Sequence, residues 1–590
     1  VSSLDIARSI AFSGLSATQV QISVASANIS NADTKGYTEK TANQSSSVTS
    51  GVGTGVTISG ITSAVDKLLL KSLVGADSDL GAADTNNNYL TELQQLYGST
   101  SSGDSSTTGT SLANTIAAFE SALSSLASTP SSASLQSNAV SALAAVTNQL
   151  QQTSSGIQKL RSNADQDIAS AVTDVNSDLQ QISDLNKQIK QEAAAGQSTA
   201  DLEDQRNSAL QDLASQMNVS YFTTSSGDLQ VYTGSGQALV DSTAHPLSYT
   251  AAQSVTASTT YTAGSATSGF SGITVNGVDI TSQISSGKVS ALITLRDQTL
   301  PAAQSQLDEL AQQLASSVNA VSNQGSSVPP PTSLTGTATV SNSTSFAGTG
   351  TVRIAVADKS GNLVSYQDID LSAYSTVGAL AAKINTIPGV SASVDANGHL
   401  SISATGSGNG IAINQMTSSV GGEGFSQYFG LNDLITGTSA SNIGVRSDIL
   451  SGTAALPTAT LDASSTLTVG NSVLSSGSAT VVNALSSALT GSTNFAMAGG
   501  LGATTGSFTD YAAAIVANVA GKASQASATY TSRQTAQSTY ASSLSSQSGV
   551  NIDQESANLS ALQNKYAAAS QIITTINSMF SALMTAMGTA

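Results

Sequence analysis

Near one end of the chain, apolar or alanine residues fall at Leu559, Leu562, Tyr566, Ala569, Ile573, Ile576, Phe580 and Leu583, with spacings of 3 and 4 alternating without a break. A seam of that period predicts a helix packed lengthwise on other helices. The opposite end repeats the alternation more weakly, at Ala11, Leu15, Thr18, Ile22, Ala25 and Ile29. One such stripe describes an ordinary core face. Two, at the extremes of a 590-residue chain, point to the ends meeting in a coiled coil. Burying each large side chain there contributes ~1.5–3 kcal/mol. A pair of thin helices cannot bury its apolar surface all round, so its ordering is expected to be complete only in an assembly. The first helix should stop near Asn31, because Asp33–Thr34–Lys35–Gly36–Tyr37 is turn chemistry.

Between the ends the period changes several times. Val65–Tyr97 and Leu112–Leu126 read as helices. A longer one runs from about Leu135 to Gln191, with a seam from Leu143 to Ile182 that shifts register through Ile168, a stutter that locally unwinds a supercoil. Gly196 breaks it, and Asp201–Gln216 is a further helix. Met217–Tyr232 alternates as strands, and Ile273–Ile284 reads as a hairpin around Asn276–Gly277. Helix returns over Val289–Asn323, with Pro301 beginning a new segment or a kink. Ser326–Pro331 reads as a linker, followed by a ββαββ module and then short β segments to about residue 500. From Phe508 the pattern is helical, with a break around Ser548–Gly549–Val550.

The predicted fold class is therefore α+β multidomain: N- and C-terminal helices forming a coiled-coil stem, with β-rich domains inserted between. Residues 1–40 and 548–590 form the terminal assembly domain; 41–216, 289–325 and 505–547 a helical stem domain; 217–288 and 441–504 a β-rich domain; 333–440 the inserted ββαββ module.

Composition limits the partners. Only 9% of residues are charged, against ~25% in ordinary domains, while 39% are hydrophobic, enough for real cores. Ser, Thr, Gln, Asn and Gly cover the surface, which suits dense packing of many copies and also suits secreted adhesins. A net charge of −18 without clustered cations excludes nucleic acid and acidic membranes as main partners. The absence of cysteine removes disulfides, thiolate metal sites and thiol nucleophiles. No apolar run reaches the ~18 residues of a membrane span, and Val1–Ile10 has no signal-peptide core. If the protein leaves the cell, the expected route leaves its N-terminal segment attached.

No catalytic, cofactor or metal constellation stands out. His245 and His399 lie in turn-like segments with no acid–serine pattern beside them. Gly51–Val52–Gly53–Thr54–Gly55 lacks the lysine of a phosphate loop and reads as a flexible loop. Asp201, Glu203 and Asp204 match no calcium-loop spacing and read as acids favouring a helix N-terminus. Phe425, Tyr428 and Phe429 read as core.

Ser2–Ser3–Leu4, Gly14–Leu15–Ser16–Ala17, Ala27–Asn28–Ile29–Ser30–Asn31–Ala32 and Gly36–Tyr37–Thr38 resemble the N-terminal signature of flagellar rod, hook and hook-associated proteins. Ser548–Gly549–Val550–Asn551–Ile552–Asp553, Glu555, Asn558–Leu559, Gln563 and Tyr566 resemble the matching C-terminal signature. The interior is similar to the hook-associated protein 1 (FlgK) family at Leu185–Ile189, Asp201–Arg206, Gly287–Lys288, Leu295–Arg296–Asp297, Leu300–Pro301, Phe429–Asp433 and Val445–Asp448. Together these stretches span most of the chain, with the β modules as variable insertions. The sequence departs from the family pattern at Ala27, Glu39 and Lys565, where a second Asn, a basic residue and a small residue are usual.

The resemblance implies a structural subunit, not an enzyme, exported by the flagellar type III apparatus and located outside the cell at the junction between hook and filament. It implies a ring or tubular homo-oligomer. Its other implied partners are the hook protein, hook-associated protein 3, and an export chaperone on the C-terminal helix. The alternatives are another axial subunit (hook protein or flagellin) or a secreted adhesin or surface-layer protein. The residues expected to carry assembly are Leu15, Ile22 and Ile29, packed with Leu559, Leu562, Tyr566, Ile573, Ile576, Phe580 and Leu583. Asn28, Asn31, Gly36 and Tyr37 are expected to set the turn out of the first helix. On this reading Ile573→Asp, which places an unpaired charge in the seam, abolishes assembly but leaves the β domains folded. Motility and circular dichroism of the variant check it, and normal motility refutes the coiled-coil assignment.

Overall fold

A computed structural model describes residues 2–49, 51–99, 109–265 and 267–588; the parts of the expected domains at 1, 50, 100–108, 266 and 589–590 lie outside the described residues. Helix α1 (Ser2–Asn31) is followed by a long antiparallel ribbon, β1 (Lys40–Thr49) and β2 (Val52–Ser63). The helical stem then begins with α2 (Lys67–Leu96), α3 (Leu112–Ser128), α4 (Ala133–Ala194) and α5 (Ala200–Gln216). It continues in α6 (Gly287–Thr294) and α7 (Leu300–Ser322). The inserted region carries α8 (Val377–Ile384), α9 (Phe425–Phe429) and α10 (Ser447–Leu450). The chain returns through α11 (Thr480–Thr490) and α12 (Phe508–Ser548) and ends in α13 (Ile552–Gly588).

The helix starts are built locally. Asp66, Ser111 and Ser132 cap α2, α3 and α4 with side-chain oxygens on free backbone N–H groups, and Ser507 with Asp510 forms a reciprocal capping box on α12. The seam read along α4 is buried from Leu143 through Ile182. It packs on α3, α5, α6 and α7, while α12 lies along α2. Pro301 stands at the start of α7, and the turn just before it, Leu295–Thr299, widens to a π-helix.

That widened turn brings Arg296, with no exposed surface, into the stem core. Its guanidinium meets Asp165 at 2.9 Å and Asp297 at 2.8 Å and lies 4.4 Å from the Phe270 ring centroid. Arg161, one face of α4 away, donates to the carbonyls of Thr256 (2.9 Å), Thr259 (2.5 Å) and Arg296 (3.0 Å). Arg161 thus satisfies two carbonyls of an irregular loop that would otherwise be buried without partners, and Arg296 holds the Tyr249 hydroxyl of the same loop.

Several expectations are corrected. Residues 41–63 are not part of the helical stem: they form the ribbon, which packs on α1. Val52–Gly55 is the start of β2, not a flexible loop; apolar residues there are too sparse to announce a strand. The Ser326–Pro331 stretch is no free linker, since Ser326 and Ser327 are buried and Ser326 pairs with Ala459. Residues 217–288 and 441–504 do not form one domain. The strands of the first segment pair only with one another and bury their apolar side chains against the stem. The second segment is divided: Leu461, Val473 and Leu474 cover the back of the inserted sheet at Ala355, Leu363 and Ala412, whereas α11 packs on α3 and α7. Period and length identify elements; they do not say which partner an exposed apolar face will find.

The inserted module has the expected strands and helix, with additions. Strands Leu363–Asp370, Thr351–Asp358 and Asn409–Asn414 form one sheet, and Val390–Val394, His399–Ala404 and Ser333–Thr339 another. Phe346, Phe425 and Phe429 sit in the core that these sheets share with α8. Asn323 at the end of α7 locks the module on: its amide donates to Asp433 (2.6 Å) and its oxygen accepts from the Ser426 hydroxyl and the Asn432 N–H, both at 2.9 Å.

One carboxyl group in the stem is poised to titrate near neutrality. Burial pushes Asp178 on α4 up to about 7, from an ordinary 3.8, and the nearby carboxylates of Asp212 and Asp174 push the same way. Its folded-state value lies above the unfolded one, so its contribution to stability is full below pH 3.8 and is lost as pH rises through about 7. Asp178→Asn should raise the melting temperature at pH 8 and change it little at pH 3.5, measured by scanning calorimetry.

Candidate functional site: the terminal helix pair and its collar

Helix α13 runs back along α1 in the opposite direction. The Glu555 carboxylate of its first turn is bonded by Asn28, near the end of α1. Further along, Gln21 and Ala25 share a cleft with Asn558, Leu562 and Lys565. On α1, Ala11, Ala17, Thr18, Ala25 and Asn28 are buried, and Leu15, Ile22 and Ile29 are half-buried. On α13, Leu562 and Ile576 are buried and Leu559, Ile573 and Phe580 half-buried. Tyr566 and Leu583 are not enclosed: they are 38% and 37% exposed. Two helices touch along one strip; the ribbon covers part of α1, and the flanks away from it stay open. Ile6, Ile10 and Phe12 of α1 and Ile572, Met579, Met584 and Met587 of α13 are exposed as well.

At the other end of the pair a polar collar joins it to the stem. Asn28 has no exposed surface. Its amide donates to the Lys40 carbonyl (2.9 Å), and its oxygen accepts from the Lys40 N–H and the Tyr37 hydroxyl, each at 3.0 Å. One side chain therefore closes the turn from helix to ribbon. Gly36 permits that turn with a φ of +80°, a conformation side chains rarely adopt. Asn31 is not part of this network; it donates to the Ala27 carbonyl of its own helix at 3.0 Å.

The strongest element of the collar is the pair Lys40–Asp204, both 5% exposed, with the ammonium of Lys40 bonded directly to the Asp204 carboxylate. The Thr38 N–H (2.9 Å) and hydroxyl (2.8 Å) donate to the same carboxylate. Lys40 also lies 4.4 Å over the Tyr37 ring. Burial pushes the Tyr37 hydroxyl up to about 12, and the carboxylates of Asp201, Asp204 and Glu555 add to it. Ser548, at the corner between α12 and α13, accepts from the Glu39 N–H (2.8 Å) on its carbonyl and from the Asp66 N–H (3.3 Å) on its hydroxyl. The starts of β1, α2 and α13 and the first turns of α5 thus converge on one point.

Sequence reasoning placed Asn28, Gly36 and Tyr37 at this turn and missed Thr38, Lys40, Asp204, Ser548 and Glu555 as its partners. Asp204 was assigned to the helix dipole; it lies beyond the first turn of α5 and bonds a different element. The available signal was the alternation Thr38–Glu39–Lys40, which in extended chain puts Thr38 and Lys40 on one side and Glu39 on the other.

No described helix is long and apolar enough to cross a membrane, and among the described residues no group of three or more His, Cys, Asp or Glu residues is placed to hold a metal. His245 and His399 each sit beside an aspartate of their own turn, Asp241 at 3.0 Å and Asp395 at 3.7 Å.

Four family descriptions match along the chain. Residues 101–332 match the flagellar hook-associated protein FlgK helical domain, which spans the stem helices that carry Asp165, Asp204 and Arg296. Residues 9–38 match the flagella basal body rod protein family and 541–586 the C-terminal region of the rod FlgEFG proteins, so both halves of the terminal pair are matched. Over its helical interior the chain is similar to the FlgK family of flagellar hook-associated proteins. Residues 351–406 match the flagellin hook IN motif, which falls in the inserted module. The flagellar hook-associated protein 1 of Salmonella typhimurium is 26% identical over 324 residues, 53% of this chain and 56% of that protein. That of Escherichia coli is 25% identical over 318 residues, 52% and 55% of the two chains. The chain thus aligns with about half the length of these relatives. A solved structure of the flagellar hook junction protein FlgK from Burkholderia pseudomallei is 18% identical, with a TM-score of 0.45 over 80% of this chain and 98% of that one.

Removing one partner of a buried ion pair leaves a charge without compensation, at a cost of about 3–5 kcal/mol. Asp204→Asn should therefore detach the ribbon turn from α5 while the stem stays folded, because Arg296 and Asp165 lie elsewhere. Hydrogen exchange is expected to accelerate over residues 36–42 and not over α4. Asp201→Asn is the control: Asp201 is 3.7 Å from Lys40 but largely exposed, so its loss should matter little.

Proposed function

We propose that this chain is a structural subunit of the bacterial flagellum that assembles as the junction between hook and filament, outside the cell, after export by the flagellar type III system. The observation that carries the reading is the terminal pair itself. Its two helices come from opposite ends of the chain, lie on each other along one strip, and leave Phe12, Tyr566, Ile572 and Leu583 uncovered on the flanks. An apolar surface of that kind on a thin rod is accounted for by further copies of the same rod. Leu15, Ile22 and Ile29, with Leu559, Leu562, Tyr566, Ile573, Ile576, Phe580 and Leu583, are the residues proposed to build that packing.

The low charge of the chain fits it, since closely packed copies would otherwise repel. The described residues around the collar bond chiefly to one another, in an arrangement that positions helices. The hook protein and hook-associated protein 3 are the neighbours proposed on either side, and an export chaperone is proposed to cover the exposed face of α13 before assembly.

Deletion of the gene, followed by localisation of flagellin and hook protein, tests the reading. Intact hooks without filaments, with flagellin released as monomer, are the expected result. Loss of hooks would move the subunit into the rod or hook, and normal motile filaments would overturn the junction role.

A further inference from the structure

The contact between Lys40 and Asp204 differs from the other ion pairs of the chain. Among the described residues it is the one lysine–carboxylate pair withdrawn from water on both sides, with side chains 4% and 7% exposed. Lys187 and Lys190 are about half exposed in their pairs with Asp184 and Asp228, and Lys35 stands in solvent beside Asp212. The buried Asp165 meets an arginine. The difference is chemical. An arginine keeps its proton throughout, whereas a desolvated lysine that gives up its proton is a nucleophile.

The groups that amide formation needs stand around this contact. Lys40 Nζ touches the Asp204 carboxylate directly. The Thr38 N–H donates to Oδ2 of that carboxylate at 2.9 Å, and the Thr38 hydroxyl to Oδ1 at 2.8 Å. Donors on both oxygens hold the carboxyl group in place and stabilise charge on oxygen when its carbon becomes tetrahedral. A second carboxylate is at hand: Asp201 Oδ1 lies 3.7 Å from Nζ, on a side chain 74% exposed, where it can exchange protons with both the nitrogen and solvent. The Tyr37 ring, its centroid 4.4 Å from Nζ, shields the amine. Fixing two reacting groups in contact replaces an encounter in solution, an advantage that reaches an effective concentration of about 10⁵ M or more in well-oriented cases.

We propose that Lys40 and Asp204 join in an isopeptide bond. One proton passes from the ammonium to the carboxylate, giving an amine and a carboxylic acid, the form that a water-poor site penalises least. The Nζ lone pair attacks Cγ, and the carbonyl electron pair moves onto an oxygen held by Thr38. Asp201 takes the proton that the nitrogen must lose and returns one to the departing hydroxyl. The Cγ–O bond breaks, the Cγ–Nζ bond stays, and one water leaves. Ammonium and carboxylate become amide and water, with no change of net charge and no oxidant or cofactor. The bond ties the start of β1 to α5, so that a pull on the terminal helices is borne by a covalent link. It goes beyond the flagellar reading and does not depend on it.

Mass spectrometry of the purified, folded full-length chain tests the proposal. After days at neutral pH the chain should be lighter than its sequence by the mass of one water. Trypsin should then release one branched peptide joining residues 36–67 to 191–206, uncut at Lys40 because its amine is taken. Lys40→Arg, which keeps the charge, should keep the full mass and give two linear peptides. Asp201→Asn should slow the appearance of the branched peptide by about a hundredfold, the usual worth of a placed proton carrier; an unchanged rate overturns the part given to Asp201. A full-mass chain, or a loss of water without the branched peptide, overturns the proposal. Should Lys40→Arg fail to fold, the branched peptide from the unaltered chain decides alone.

Discussion

The buried pair of Lys40 and Asp204 is the constraint on which the rest of the molecule hangs. An ammonium and a carboxylate withdrawn from water cost several kcal/mol each unless they meet with good geometry and with their remaining bonds satisfied. Here Thr38 and the Tyr37 ring complete the requirement. The pair is therefore formed in one arrangement only, and that arrangement fixes where the terminal rod leaves the stem. Asn28 fixes the turn on one side of it, and Ser548 fixes the return of the chain on the other. In a molecule with so few charges, this pair is placed where direction has to be specified.

The stem uses the same logic at larger scale. Arg296 and Arg161 are fully buried cations whose partners are loop carbonyls, aspartates and an aromatic face. They let an irregular segment of residues 249–270 lie against α4 without stranding its backbone groups. Asn323 plays the corresponding part between stem and inserted module, where three polar groups of residues 426–433 converge on one amide. Each junction is made by a single polar side chain with all its bonds taken. Arg296 was marked in the sequence only as part of a family resemblance and Arg161 and Asn323 not at all, because an isolated Asn or Arg carries no periodic signal.

Helices were legible where period and caps agreed. The α4 seam and the break before α13 follow from apolar spacing and Gly. The ribbon of residues 40–63 was not legible: its strands alternate Ser and Thr with small residues, so neither face announces a core. The grouping of the β segments was not legible either, because Leu461 and Leu474 find their partner across a hundred residues. At the terminal pair, sequence named the seam and the turn residues. It left out Lys40, Asp204 and Glu555, whose meaning depends on three elements meeting in space.

The pairing of α1 with α13 carries a consequence for the order of events. Helix α1 finds its mate only in α13, more than five hundred residues further along the chain. The stem closes a loop almost as long, because α12 lies along α2, and in closing it brings the bases of α1 and α13 together. Until then the rod does not exist, and neither does the surface by which one copy adds to another. Chain connectivity thus couples the rod to the stem: a subunit becomes sticky only once its stem has closed.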